Sequence, residues 1–171
     1  MFMRKALDQL YDVAAWIAAA FMVALLVMVL LSILGREIGF HVRGTDAYAG
    51  YMMAGAGFFA LAHTLKRGEH IRVTLLLQAT APGTRHKLEL FSLAVAILLS
   101  LLLAIFSVKL CWQSLQFNDI STGNDATPLW IPQIAMALGT AILCIAFVDE
   151  FVAEWRGTRT ALSSDESLHN E

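Results

Sequence analysis

Side chains able to do chemistry are scarce where this 171-residue chain is most apolar. Ionisable groups inside a membrane mark proton relays, ion sites and substrate contacts, because hydrocarbon tolerates charge only where it has a partner or a task. The candidates are His63, one turn before Lys66, and Gln133. A hydrogen bond to a neighbouring helix or to headgroups is the expected role of His63, and an interhelical hydrogen bond that of Gln133. Haem ligation needs paired histidines at suitable depths, and His41, His70, His86 and His169 all fall outside the apolar runs. Cys111 and Cys144 are expected at opposite ends of their helices, too far apart for a disulfide. The sequence has no nucleophile constellation, zinc-ligand spacing or glycine-rich phosphate loop. No catalytic residue, cofactor or metal is therefore expected. Arg36 and Asp46 flank the first short loop, where Asp46 can cap the following helix and Arg36 can pair with it or with headgroups.

The elements carrying these residues follow from composition. The chain is 58% hydrophobic and 15% charged, with a mean hydropathy of +0.64, more apolar than a soluble domain needs. A hydrocarbon core about 30 Å thick takes roughly 20 apolar helical residues to cross. Four runs without Asp, Glu, Lys or Arg reach that length: 13–35, 47–65, 90–108 and 126–148. They are apolar all round, unlike the one-sided helices of a soluble bundle. A helix also satisfies its own backbone in lipid, which an isolated strand does not. The expected fold is all-α and membrane-integral: four transmembrane helices and a short interfacial helix, in a domain over residues 1–156. The first run exceeds a secretory signal's apolar region, so it is expected to be an uncleaved anchor. Residues 157–171, rich in Ser and acid, read as a disordered polar tail.

Basic residues orient the helices, because Lys and Arg in short loops stay on the cytoplasmic side. Nine of the twelve lie in the N-terminus, the second loop and the C-terminus, against three in the first and third loops. Both termini are therefore expected in the cytoplasm. All seven Trp and Tyr residues, Tyr11, Trp16, Tyr48, Tyr51, Trp112, Trp130 and Trp155, fall near expected interfaces. In the second helix, Ala47, Gly50, Ala54 and Gly57 form a small-residue face suited to close helix–helix contact, within the chain or with another subunit. Thr127 and Pro128 suit the N-cap and first position of the fourth helix; alternatively Pro132 is the first-turn proline and 126–131 lie in the interface. His70, Thr74 and Gln78 recur every fourth position, as in a short interfacial helix. With a net charge of −2 and no concentrated basic tract, nothing points to nucleic acid.

Several segments together resemble the small membrane subunit of TRAP transporters, the DctQ-like family. They are Thr45-Asp46-Ala47-Tyr48-Ala49-Gly50-Tyr51, then Phe58-Phe59-Ala60-Leu61-Ala62, then Lys66-Arg67-Gly68-Glu69-His70-Ile71-Arg72-Val73. Arg36 stands where the family has an arginine after the first helix, and Asp46 where an acid opens the second. The run from Arg67 through Gly68 and His70 matches its basic-Gly-x-His-Ile-x-Val stretch. Leu129-Trp130-Ile131-Pro132 with Gly139 resembles the start of its fourth helix. Thr74 stands where an acid is usual, and Ala60 where a glycine is.

The resemblance implies a tripartite secondary transporter of the bacterial inner membrane. A periplasmic solute-binding protein would capture an organic acid or similar solute, a large membrane subunit would carry it with sodium, and this chain, embedded in membrane lipids, would be a scaffold. A four-helix membrane redox protein and a self-contained small channel or exporter are the alternatives from other classes.

Overall fold

The computed structural model describes residues 2–40, 42–67, 82–123 and 125–157. The described residues form four helices: α1 (Phe2–Ile38), α2 (Thr45–Lys66), α3 (Pro82–Gln116) and α4 (Trp130–Trp155). They run alternately up and down. Extensive contacts join α1 to α2, α2 to α4 and α4 to α3, so the helices stand in a row with α2 and α4 in the middle. The expected interfacial helix around 70–78 and the tail from 158 onward lie outside the described residues, as do Gly68 and His70.

Among the described residues, three helices are long and apolar enough to cross a membrane, over Arg4–Ile38, Thr84–Gln116 and Trp130–Trp155. The remaining helix, α2, is diluted by Gly, Ala, Tyr, His and Thr. It packs between α1 and α4, where helix neighbours cover much of the surface that α1 and α3 leave bare.

At about 1.5 Å per residue, the 37 residues of α1 reach about 55 Å, well beyond the hydrocarbon thickness. Its first turns extend the apolar run as an amphipathic stripe. Leu7, Tyr11, Ala14 and Ala18, spaced four and three apart, turn inward. Tyr11 is only 2% exposed, among Ala62, Leu65, Leu143 and Ala146. It is thus a core residue rather than the interfacial ring expected of it, because the helix starts eleven residues before the uncharged run. Trp16, Trp112 and Trp155 are exposed, as belt residues would be.

In the centre of the row, Gly139 lets α4 meet the α2 backbone. A Cβ there would sit 2.7 Å from the carbonyl carbon and oxygen of Phe58. Deeper in the α1–α2 contact, Phe21 and Phe59 stack at 6.0 Å.

Two helix starts differ from expectation. The N-cap of α4 is Leu129, without a side-chain cap. Thr127 is held in the preceding loop, its carbonyl accepting from the Ser121 N–H and its hydroxyl donating to Tyr48, while Pro128 bridges to Ile120. Pro132 therefore lies in the first helical turn, where its missing N–H breaks no intrahelical bond. The N-cap of α2 is Gly44 at φ 81°, not Asp46; Asp46 sits in the first turn, where its charge still favours the positive helix end.

Candidate functional site

With the helix order fixed, the polar side chains gather at the two ends of the row. At one end, every neighbouring pair of helices is joined by an acid–base contact. His63 Nδ1 of α2 lies 4.0 Å from Asp12 Oδ1 of α1. Lys66, also on α2, forms an ion pair with Asp149 and a second, at 3.2 Å, with Glu150 Oε1 of α4. His86 Nδ1 of α3 meets Glu154 Oε1 of α4 at 2.9 Å. The Lys66 ammonium also lies 5.4 Å from the centre of the Tyr11 ring. Glu150 and Glu154 are each 8% exposed, so both carboxylates depend on protein partners rather than water.

At the opposite end, the α3–α4 loop is fastened to α2. Tyr51 donates to Asp125 Oδ2 at 3.0 Å, and Ser121 donates to Asp125 Oδ1 at 2.7 Å. Beside them, the Thr127 hydroxyl donates to the Tyr48 hydroxyl at 3.0 Å. The Ser121 hydroxyl, with smaller help from Thr127 and Tyr51, holds the Asp125 carboxyl down at about 2 against partial desolvation. Gly44 backs onto this carboxylate's own residue: a Cβ at Gly44 would fall 2.8 Å from the Asp125 Cβ. Only a residue without a side chain meets both that contact and the positive φ.

The residues singled out in the sequence are mostly dispersed. Arg36 and Asp46 do meet, at 3.6 Å, and Ser32 donates to Asp46 at 3.2 Å, all at the exposed edge of the α1–α2 turn. Arg67 caps the C-terminus of α2, its N–H donating to the His63 carbonyl. Trp130 opens α4 and accepts a 3.5 Å contact from the Cys111 thiol through its carbonyl. Cys111 and Cys144 are free thiols. The Gln133 Oε1 is buried without a hydrogen-bond partner among the described residues. Of the small-residue face, Gly50, Ala54 and Gly57 are exposed and Ala47 half-buried. Nothing lies within 4 Å of a Cβ built at Gly50 or Gly57. Within the chain, then, those two glycines pack on nothing among the described residues.

Sequence reasoning missed Asp149, Glu150, Glu154 and Asp125. Three of them begin just beyond the fourth uncharged run, and the available signal was a carboxylate pair four residues apart, Glu150 and Glu154, on an otherwise apolar helix. Among the described residues, no three His, Cys, Asp or Glu side chains are grouped to hold a metal ion. Among the described residues, the arrangement fastens neighbouring helices to one another.

A search of curated proteins finds no match. The family described as the DctQ component of tripartite ATP-independent periplasmic transporters matches residues 25–157, which include α2, α3, α4 and the second half of α1. The chain is therefore a multi-pass membrane protein that belongs to the DctQ component family of the tripartite ATP-independent periplasmic transporters.

Proposed function

We propose that this chain is the scaffold subunit of its transporter, bracing a large membrane subunit that carries an organic acid or similar solute with sodium after a periplasmic binding protein delivers it. The observation that carries this reading is the distribution of charge. The four runs hold no Asp, Glu, Lys or Arg with which to bind an organic anion or a cation, and the charged side chains that bridge neighbouring helices do so at the ends of the row. A subunit that translocated a charged solute with a cation would be expected to carry charged groups in its spans. The basic-residue asymmetry supports an orientation with both termini and the Lys66 end in the cytoplasm of a bacterial inner membrane, and the Asp125 end outside.

The same reading gives a use to the α2 face that the chain leaves open. Asp46, Gly50, Ala54 and Gly57 lie on its exposed side, and small residues allow close backbone approach by another helix. Its occupant, on this reading, is a helix of the large subunit. The test is co-purification from mild detergent. Gly50→Leu and Gly57→Leu should leave the chain folded, because no described residue lies within 4 Å of a Cβ built at either position. Recovery of the large subunit should nevertheless fall severalfold. Undiminished recovery with both variants would defeat the assignment of this face.

A further inference from the structure

We propose that Asp125 is a positioning residue whose carboxylate latches the α3–α4 loop onto α2 and so sets the rotation of α2 about its own axis. At about 100° per residue, Tyr48, Tyr51, Gly55, Phe59 and Ala62 share one side of α2, while Asp46, Gly50, Ala54 and Gly57 share the other. The latch grips the first side. Tyr51 donates to Asp125, Thr127 donates to Tyr48, and Gly44 backs onto Asp125 at the turn where α2 begins. Fixing Tyr48 and Tyr51 therefore fixes the opposite direction in which Gly50 and Gly57 point.

The rest of α2 shows why its first turns need this hold. The helix is pinned at its far end by Lys66 on Asp149 and Glu150, and in its middle by Phe58 on Gly139. From Phe58 back to Gly44 is fourteen residues, about 21 Å of helix. Against α1 the polar and aromatic contacts of this stretch are Phe21 beside Gly55 and, at its tip, the Arg36–Asp46 pair with the exposed Ser32–Asp46 hydrogen bond. That pair is open to solvent on both sides, which makes it a weak fastener. The Asp125 contacts are shorter, part-buried and made to an ionised acceptor. They link α2 to the loop that begins α4, closing the outer end of the central helix pair.

The inference rests partly on the reading of the α2 face as the subunit interface, and its test separates the two. Asp125→Ala, Tyr51→Phe and a control at exposed Thr122, Thr122→Ala, are made in the full chain. Hydrogen exchange is measured on the purified protein in lipid nanodiscs, and recovery of the large subunit is measured from membranes, normalised to inserted chain. Asp125→Ala should speed exchange of amides in 45–56 and 119–129 by tenfold or more and leave 137–150 unchanged. Recovery of the large subunit should fall at least threefold, with Tyr51→Phe intermediate, Asp125→Glu partly restoring it and Thr122→Ala silent. Should Asp125→Ala not accumulate, Tyr51→Phe, which removes a single hydroxyl, carries the same comparison. Unchanged exchange overturns the latch. Faster exchange with unchanged recovery, while Gly50→Leu still lowers recovery, overturns the control of the α2 face. If Gly50→Leu and Gly57→Leu are also silent, the interface reading fails, and exchange alone decides whether the latch exists.

Discussion

Replacing Lys66 with Met tests how the central helix pair is held. Met keeps most of the hydrocarbon stem beside Tyr11 but removes the ammonium shared by Asp149 and Glu150. The three side chains are 19%, 26% and 11% exposed, so water compensates the loss of the ammonium only in part. Removing one partner of a buried ion pair costs about 3–5 kcal/mol. Because these groups retain some solvent contact, the lower bound of about 3 kcal/mol applies. Loss of the cation over the Tyr11 ring adds about 0.5–1 kcal/mol. The assay is reversible unfolding of the micelle-embedded chain by an ionic detergent. Lys66→Met should lose about 3 kcal/mol or more, whereas Lys66→Met combined with Asp149→Asn and Glu150→Gln should recover at least half of the loss, since no uncompensated charge remains. A single variant within about 1 kcal/mol of the parent chain, or a triple variant no better than the single, would refute the reasoning.

Three further outcomes are expected. Gly139→Ala should destabilise the fold by about 1–3 kcal/mol in the same assay, because its Cβ would overlap the Phe58 backbone and part α2 from α4; an unaffected protein would disprove that close approach. The Asp125 carboxyl carbon, followed by NMR of the full chain in micelles, should titrate at about 2 rather than at the ordinary 3.8. Since the folded value lies below the unfolded one, the latch contributes fully above about pH 4 and is lost as pH falls through 2; a midpoint near 3.8 would contradict the hydrogen bonding described. Reporter fusions after Arg43 and Asp119 should read periplasmic, and those after Arg72 and Arg156 cytoplasmic, and an inverted pattern would overturn the orientation.

The helices were legible because lipid imposes a simple length requirement; α1, α3 and α4 are long and apolar enough to meet it, whereas α2, diluted by Gly, Ala, Tyr, His and Thr, is a helix that falls short of it. The helix ends were not legible. The first turns of α1 carry Arg4, Lys5, Asp8 and Asp12, so a test for uncharged residues stops short of the stripe from Leu7 to Ala18 that packs on α2 and α4. A search for period 3.6 across those turns would have found it. The Arg36–Asp46 pair was visible because only a short turn separates its members. Lys66 and Glu150 are 84 positions apart, and nothing local tells that α2 lies against α4. Asp125 carries no local signal, because its partner Tyr51 is 74 residues away and Tyr residues near a membrane end are commonly read as interfacial. The spacing of Ala47, Gly50, Ala54 and Gly57 is local and so visible in the sequence, whereas only the helix order shows that Gly50 and Gly57 face away from the other described helices.

The central claim is that this subunit supports transport without touching the solute, and uptake into proteoliposomes containing all the transporter's subunits tests it most directly. Arg36→Ala, Asp46→Ala and His70→Ala are compared at matched protein levels across a range of solute concentrations. A residue that contacts solute through a charge-assisted hydrogen bond contributes about 1.5–3 kcal/mol, so its loss would weaken apparent affinity by about tenfold or more. The account predicts lower maximal uptake or less assembled complex, with the half-saturating concentration and the order of preferred solutes unchanged. A shift in solute preference from any of the three would place this chain in the translocation path and contradict it.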